Sequence, residues 1–264
     1  MPLLNTQKHL RTLKKLPFCY LCGEPFNEGD DRNDDHIPPE ACFAKQDRNF
    51  PLQLPTHRRC NSSQQLTDEK IAQIIGLKQR RMPRSAHRRL RVEAVSVGSS
   101  GNVALAVTNI DIDAAVWRWV RGFHAALYSA PLPVGARYTI RTPFPAMNRT
   151  VAGLQAQAIL RQHSLFVAEI KINRAKENLD RIQTNNKRLT YECVWVQSDS
   201  GPWMCVFAID LYAWKDLGDV HNFVGRGCAG SYILPDGVAP LCAARGARTP
   251  IVIPNVEPLD PFGQ

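Results

Sequence analysis

No stretch of the sequence approaches the roughly 18 to 20 consecutive apolar residues that a membrane-spanning helix requires. The opening residues, Met1 to Lys8, also lack the apolar core of a secretory signal peptide. We find no internal repeat and no Gly-rich phosphate-binding motif. From these absences we expect a cytoplasmic protein that does not bind membranes.

The cysteines do not follow the pattern of a secreted disulfide framework. Of the 8 cysteines, three lie in closely spaced motifs, and the others have no close partner: Cys42, Cys193, Cys205, Cys228 and Cys242. An odd remainder favours reduced thiols, which agrees with a cytoplasmic location.

Two pairs of soft metal ligands stand out near the start of the chain. They are Cys19 with Cys22 and His57 with Cys60, each pair separated by two residues. Tetrahedral zinc takes thiolate and imidazole ligands from tight turns of this kind. We therefore assign these four residues as structural zinc ligands, with reduced buried cysteines as the alternative. The stretch between the pairs exceeds that of an ordinary zinc finger, so it must hold structure of its own.

That stretch contains a candidate hydrolytic centre, Asp34-Asp35-His36, and Asn61 follows the last cysteine. Phosphodiester hydrolysis needs a nucleophilic water and neutralisation of the phosphoryl oxygens. A histidine with a pKa near ~6.5 can accept a proton from water, and a carboxylate can hold a divalent ion. Asp34 is an alternative ligand to Asp35, and a solvated turn is the alternative to a site.

Adjacent residues on a regular strand point to opposite faces, so Asp35 and His36 would converge only if the backbone bends. Pro38 and Pro39 lie just downstream, after Ile37, and favour such a bend.

The layout resembles the HNH, or ββα-metal, nuclease family, and within it the phage-type Holliday-junction resolvases, in which an asparagine follows the last knuckle cysteine. The resemblance covers about the first quarter of the chain. It implies that Asp35 and Asn61 hold the catalytic ion and that His36 is the general base. It also implies that Asn49 steadies the hairpin.

Two positions depart from the commonest pattern of that family. His57 replaces a cysteine, which is a mild change because imidazole is an equally good zinc ligand. Asn61 replaces the final histidine, so the second catalytic ligand is a neutral amide oxygen. An oxygen pair favours Mg²⁺ or Mn²⁺ over zinc at the catalytic site.

The net charge of +9 suits a polyanionic partner, and basic residues cluster after the second knuckle. We expect DNA as the partner, with RNA as the open alternative. A solvated helix face is the other interpretation of the cluster. The predicted nucleic-acid-binding residues are Arg58, Arg59, Lys78, Arg80, Arg81, Arg84, Arg88 and Arg89.

The hydrophobic patterns predict an α+β fold, in which a small zinc-stapled ββα-metal nuclease domain precedes a larger α+β domain. The predicted divisions are 1–91 for the nuclease domain, 92–230 for the second domain and 231–264 for a loosely structured arm. Helices are expected at about 5–15, 67–81, 111–128 and 151–162, and strands near 95–97, 102–107, 137–141, 190–197 and 203–211.

Three functions are compatible with these patterns. The preferred one is a metal-dependent HNH-type endonuclease that hydrolyses phosphodiester bonds in DNA. The second is a non-catalytic zinc module that binds nucleic acid. The third is a nuclease effector of a phage-defence or mobile-element system, controlled through the second domain by a protein partner or by a second copy of the chain.

Overall fold

The computed structural model describes residues 3–4, 7–78, 91–97, 102–107, 110–141, 152–176, 178–198, 201–212, 227–240 and 251–253. Helices and mainly antiparallel sheets alternate along these segments, which makes the chain an α+β protein. Within the described residues, none of the helices has the length and apolar character needed to cross a membrane.

The N-terminal part is built around a hairpin followed by helices. Its elements are β1 (Leu3–Leu4), α1 (Gln7–Leu13), β2 (Arg32–His36), β3 (Gln53–His57), α2 (Arg58–Ser62) and α3 (Gln65–Lys78). Strands β2 and β3 are antiparallel, with Asp35 opposite Leu54 and His36 opposite Gln53. Helix α2 begins directly after β3, so the two paired strands are followed by a helix.

The rest of the chain forms a hairpin, a large sheet and two long helices. Its elements are β4 (Val92–Val97), β5 (Asn102–Val107), α4 (Ile112–Tyr128), β6 (Arg137–Arg141), α5 (Ala152–Ala175), β7 (Asp180–Thr184), β8 (Leu189–Ser198), β9 (Met204–Leu211), β10 (Cys228–Ile233) and β11 (Ile251–Ile253). The sheet order is β1-β7-β8-β9-β10-β6, and β11 pairs with β8. Strand β1 runs parallel to β7, which joins the start of the chain to this sheet.

Helix α4 carries an apolar face because its hydrophobic residues recur at helical spacing. The Asp111 side chain caps its first turn by accepting a hydrogen bond from the Ala114 backbone N–H at 3.0 Å. A Cβ atom at Gly122 would collide with the Ile37 side chain and crowd Tyr20. A larger residue at this position would force the Ile37 side chain to move, so glycine favours the close approach of α4 to the N-terminal part.

One buried cluster spans the two parts of the chain. It contains residues of the N-terminal hairpin, of α4 and of the sheet, among them Tyr20, Ile37, Leu54, Phe123 and Tyr191. A second, smaller cluster lies between α5 and the other face of the sheet. The two predicted domains thus share a core, and the division at residue 91 stays a prediction.

Most predicted elements are found within a few residues of their expected bounds, and two differ. Helix α5 continues to Ala175, since no helix-breaking residue follows 162 and Val167 and Ile170 pack on the sheet. Residues 231–233 belong to β10 and 251–253 form β11, instead of a loose arm throughout. The buried residues of β10 run from Ala229 to Tyr232, and the strand pairs with β9 and β6.

Candidate metal centre and adjoining polar site

The four predicted zinc ligands come together at one point. One ligand atom from each of Cys19, Cys22, His57 and Cys60 lies within 4.8 Å of all the others. The first pair sits in a tight turn in which the Gly23 N–H donates to the Cys19 carbonyl at 2.8 Å. The second pair spans the junction of β3 and α2. Three cysteines and a histidine at this separation can bind a metal ion, and the donor set is compatible with structural zinc.

The imidazole of His57 is oriented for such a role. Its Nδ1 lies 3.4 Å from the Cys22 sulfur, and its Nε2 lies 3.4 Å from Asp30 Oδ2. Metal-binding histidines commonly donate their other N–H to a carboxylate, which fixes the tautomer and the ring orientation. Asp30 is therefore a supporting residue that was not predicted from the sequence, because nothing in its spacing distinguishes it from the neighbouring loop acids.

The thiol pKa values reflect the close packing of the cluster. Burial raises the pKa of Cys22 to about 12, and burial with the nearby Cys19 sulfur raises the pKa of Cys60. A bound divalent cation lowers thiol pKa values because it binds the thiolate form.

Beside this centre, Asp35 is buried and engaged by two donors. Its Oδ2 accepts a hydrogen bond from the Tyr20 hydroxyl and another from Arg118 Nη2 at 2.5 Å. Asp34, by contrast, is exposed and pairs with Lys14 at 2.8 Å. Of the two adjacent carboxylates, Asp35 is the one that faces the interior, where Arg118 lies between it and Asn61.

Arg118 of α4 contacts side chains from three elements of the N-terminal part. Its Nη2 bonds Asp35 on β2 and lies 3.5 Å from Asn61 Oδ1 on α2, while its Nη1 bonds Asp68 on α3. The Arg118 side chain is only 6% exposed. Burial alone would lower the pKa of Arg118, but Tyr20, Asp35 and Asp68 raise it above its ordinary value. The guanidinium therefore stays charged among these groups.

The Asp68 carboxyl on α3 is largely shielded from solvent. Desolvation raises the pKa of Asp68 to about 6, and the Arg118 charge opposes that rise. Asp68 was not predicted as a site residue, because an acid in the first turn of a helix is ordinarily explained by the helix dipole.

His36 lies on the other face of β2. The strand pairs regularly through His36, and the ring Nε2 is 2.6 Å from Nε2 of Gln53, its cross-strand neighbour. In the part of the chain that the structure describes, no hydrogen bond joins His36 to Asp35. Burial lowers the pKa of His36, against the opposing effect of Glu40, so the imidazole is neutral at neutral pH. The bend that would bring the two side chains together is not seen within the strand.

Asn49 contacts the second part of the chain instead of the Asp35 site. Its Nδ2 donates to Asn186 Oδ1 at 3.2 Å, in the turn between β7 and β8. The Asn186 side chain in turn donates to the Gln46 carbonyl at 2.7 Å. The predicted role of Asn49 in steadying the hairpin stays a prediction.

The structure describes only some of the residues predicted to bind nucleic acid. Arg58 pairs with Asp31 at 2.8 Å and Arg59 with Glu24 at 3.4 Å, both on the surface. Lys78 is the last residue of α3. The remaining basic residues lie outside the described residues: Arg80, Arg81, Arg84, Arg88 and Arg89.

A comparison of the chain with protein-family models, with curated proteins and with solved structures finds no significant match. The fold and the site thus define an α+β protein with a Cys₃His cluster able to bind a metal ion. What the neighbouring polar site does must be inferred from its geometry.

Proposed function

We propose that this chain is a metal-dependent HNH-type endonuclease that hydrolyses phosphodiester bonds in DNA. In this proposal zinc at the Cys₃His cluster is structural, and Asp35 with Asn61 holds a catalytic Mg²⁺ or Mn²⁺. His36 is the general base. RNA is the alternative substrate that the cleavage experiment below includes.

One observation carries the proposal. Asp35 Oδ2 and Asn61 Oδ1 lie 2.5 Å and 3.5 Å from the same nitrogen of Arg118, although they come from different elements. Two oxygens that can reach one cationic group can also reach one metal ion, and carboxylate and amide oxygens suit Mg²⁺ or Mn²⁺. The proximity of Asp35 and Asn61 to one nitrogen supports the proposal that they share an ion.

The divalent ion and His36 would have different roles in phosphodiester hydrolysis. A divalent ion at this pair supplies positive charge to the phosphoryl oxygens. His36, neutral at neutral pH because its pKa is lowered, can accept the proton of the attacking water. Strand β2 ends at His36, and because His36 and Asp35 lie on opposite faces of the strand, the proposal requires the end of the strand to bend when the ion and substrate bind.

Gln53 determines which nitrogen of His36 can act as the base. Its side chain contacts Nε2 of His36 at 2.6 Å. An amide can present an N–H or, turned over, its oxygen. With the oxygen toward Nε2–H, the proton is held on Nε2, and Nδ1 is left as the basic nitrogen.

The test is cleavage of supercoiled plasmid and of a single-stranded RNA at low salt, with Mg²⁺, Mn²⁺ or EDTA. Wild type should nick the plasmid only with a divalent ion, and His36→Ala and Asp35→Asn should abolish nicking at unchanged zinc content. Asp34→Asn, the matched control on an exposed neighbour, should cleave like wild type. Full activity of His36→Ala would refute the base assignment.

The insertion of Arg118 also favours the second candidate function, a non-catalytic zinc module that binds nucleic acid. A guanidinium hydrogen-bonded to Asp35 already neutralises the carboxylate that the nuclease needs. Retardation of DNA in a gel with no cleavage under any metal condition would decide for this function.

A further inference from the structure

We infer that Arg118 is a built-in cation of the predicted catalytic site, which competes with the divalent ion for Asp35 and Asn61 and thereby restrains metal binding. The inference rests on the proposed function, since it concerns the same two ligands. It adds a residue from the second part of the chain, and with it a means of regulation.

The geometry places the guanidinium where the ion would act. Arg118 Nη2 bonds Asp35 Oδ2 and lies 3.5 Å from Asn61 Oδ1, a separation too short for an ion to fit between the two atoms. Magnesium–oxygen bonds are about 2.1 Å long, so an ion bound to both oxygens needs the space that this nitrogen fills. The ion and the guanidinium therefore exclude each other in this arrangement.

Asp68 holds the guanidinium in that position. Its carboxylate accepts a hydrogen bond from Arg118 Nη1, on the opposite side of the fork from Asp35. A planar guanidinium with both terminal nitrogens engaged has a fixed orientation. If Arg118 moves away, Asp68 is left as a third oxygen beside Asp35 and Asn61, which would favour a divalent ion further.

The packing of helix α4 holds the Arg118 backbone in place. Arg118 is followed by Trp119 and Val120, both buried in the core, and Gly122 one turn later packs on Ile37 and Tyr20. Helix α4 cannot shift without disturbing these contacts. An ion can therefore bind only if the Arg118 side chain moves or if α4 shifts as a whole. A partner bound to the second part of the chain could cause that shift.

The positive charge of Arg118 determines whether its substitution raises or lowers the affinity for Mn²⁺. Replacing Arg118 by glutamine removes one positive charge next to the ion and leaves both carboxylates in place. The zinc-loaded full-length protein is titrated with Mn²⁺ alone, and free Mn²⁺ is followed by its electron paramagnetic resonance signal. We expect Arg118→Gln to bind Mn²⁺ at least about tenfold more tightly than wild type at the Asp35 site.

Three further variants make the titration specific. Arg118→Lys keeps the charge but loses the planar fork that bridges Asp35 and Asp68, so its Mn²⁺ affinity should lie between those of wild type and Arg118→Gln. Arg121→Gln, a charge change one turn along the same helix, should behave like wild type. The double variant Arg118→Gln/Asp35→Asn should lose the gain, which locates it at this site. Unchanged or weaker Mn²⁺ binding by a folded Arg118→Gln protein would overturn the inference.

A second measurement covers the case in which Arg118→Gln does not fold. A crystal of the wild-type protein soaked in Mn²⁺ should show anomalous scattering at Asp35 and Asn61, with the guanidinium displaced from both. An ion bound to both oxygens beside an unmoved Arg118 would overturn the inference. Because neither readout requires cleavage, a protein that binds Mn²⁺ as expected but cuts nothing would refute the proposed function alone.

Discussion

The Cys₃His cluster and the Asp35 site lie side by side, yet they are assembled in different ways. All four cluster residues belong to the N-terminal part, and two short spacings present them. The Asp35 site is completed by Arg118, which lies 83 residues further along the chain. The first site is defined by local turns, and the second exists only because α4 packs against the hairpin. Substitutions in the cluster and substitutions in α4 should therefore affect the two sites differently.

The largest effect is expected when the cluster itself is broken. Cys60→Ala should release the metal and unfold the N-terminal part, because formation of a zinc site and folding are coupled in so small a unit. Zinc per chain is measured by elemental analysis, alongside circular dichroism. Cys228→Ala, in β10 and outside the cluster, is the control. Unchanged zinc stoichiometry in Cys60→Ala would refute the ligand set.

Acid should weaken α4 through His124. This residue is buried with Nδ1 2.9 Å from the Tyr232 hydroxyl, and burial lowers its pKa to about 3. Between about pH 3 and 6.5 the unfolded chain binds a proton that the folded chain does not, so this group lowers stability as pH falls, by up to about 1.4 kcal/mol per pH unit. Urea unfolding across this range checks the slope.

The slope can be assigned by substitution. His124→Gln should flatten the pH dependence over that window, because the substituted side chain does not titrate. If the unfolding free energy of the variant has the same slope as that of wild type, His124 is not the group responsible.

The packing of α4 on the hairpin can be tested at Gly122. Gly122→Ala places a methyl group against Ile37 and should destabilise the protein by about 1–3 kcal/mol. Because α4 positions Arg118, the variant should also change Mn²⁺ affinity while zinc content stays constant. A thermal unfolding temperature equal to that of wild type would mean that the Ile37 side chain makes room without cost and that this packing does not require glycine.

The smallest effect is expected at Asp30, which supports His57. Asp30→Asn should lower zinc affinity by about 10- to 100-fold with the fold retained, as losses of such supporting carboxylates do. Competition with a colorimetric chelator measures the affinity. Asp31→Asn, at the adjacent exposed residue that pairs with Arg58, is the matched control. Equal affinities for the two variants would remove Asp30 from the metal site.

The same contrast explains how much could be predicted from sequence. Cys19, Cys22, His57 and Cys60 were found from spacing, because tight turns link spacing to position. The contact of Arg118 with Asp35 depends on how two distant segments pack, which spacing does not encode. No local signal marked Arg118 either, because it lies on the side of the predicted helix away from the apolar stripe that contains Val116, Trp119 and Phe123.

The central claim is that one short segment holds a structural metal and, separately, a catalytic one. The most direct test is to prepare wild type with zinc bound at the cluster, without other divalent ions, and to measure plasmid cleavage before and after adding Mg²⁺. We expect folded, zinc-containing protein that is inactive until Mg²⁺ is added. Cleavage by the zinc form alone, or none after Mg²⁺ or Mn²⁺ is supplied, would contradict the claim.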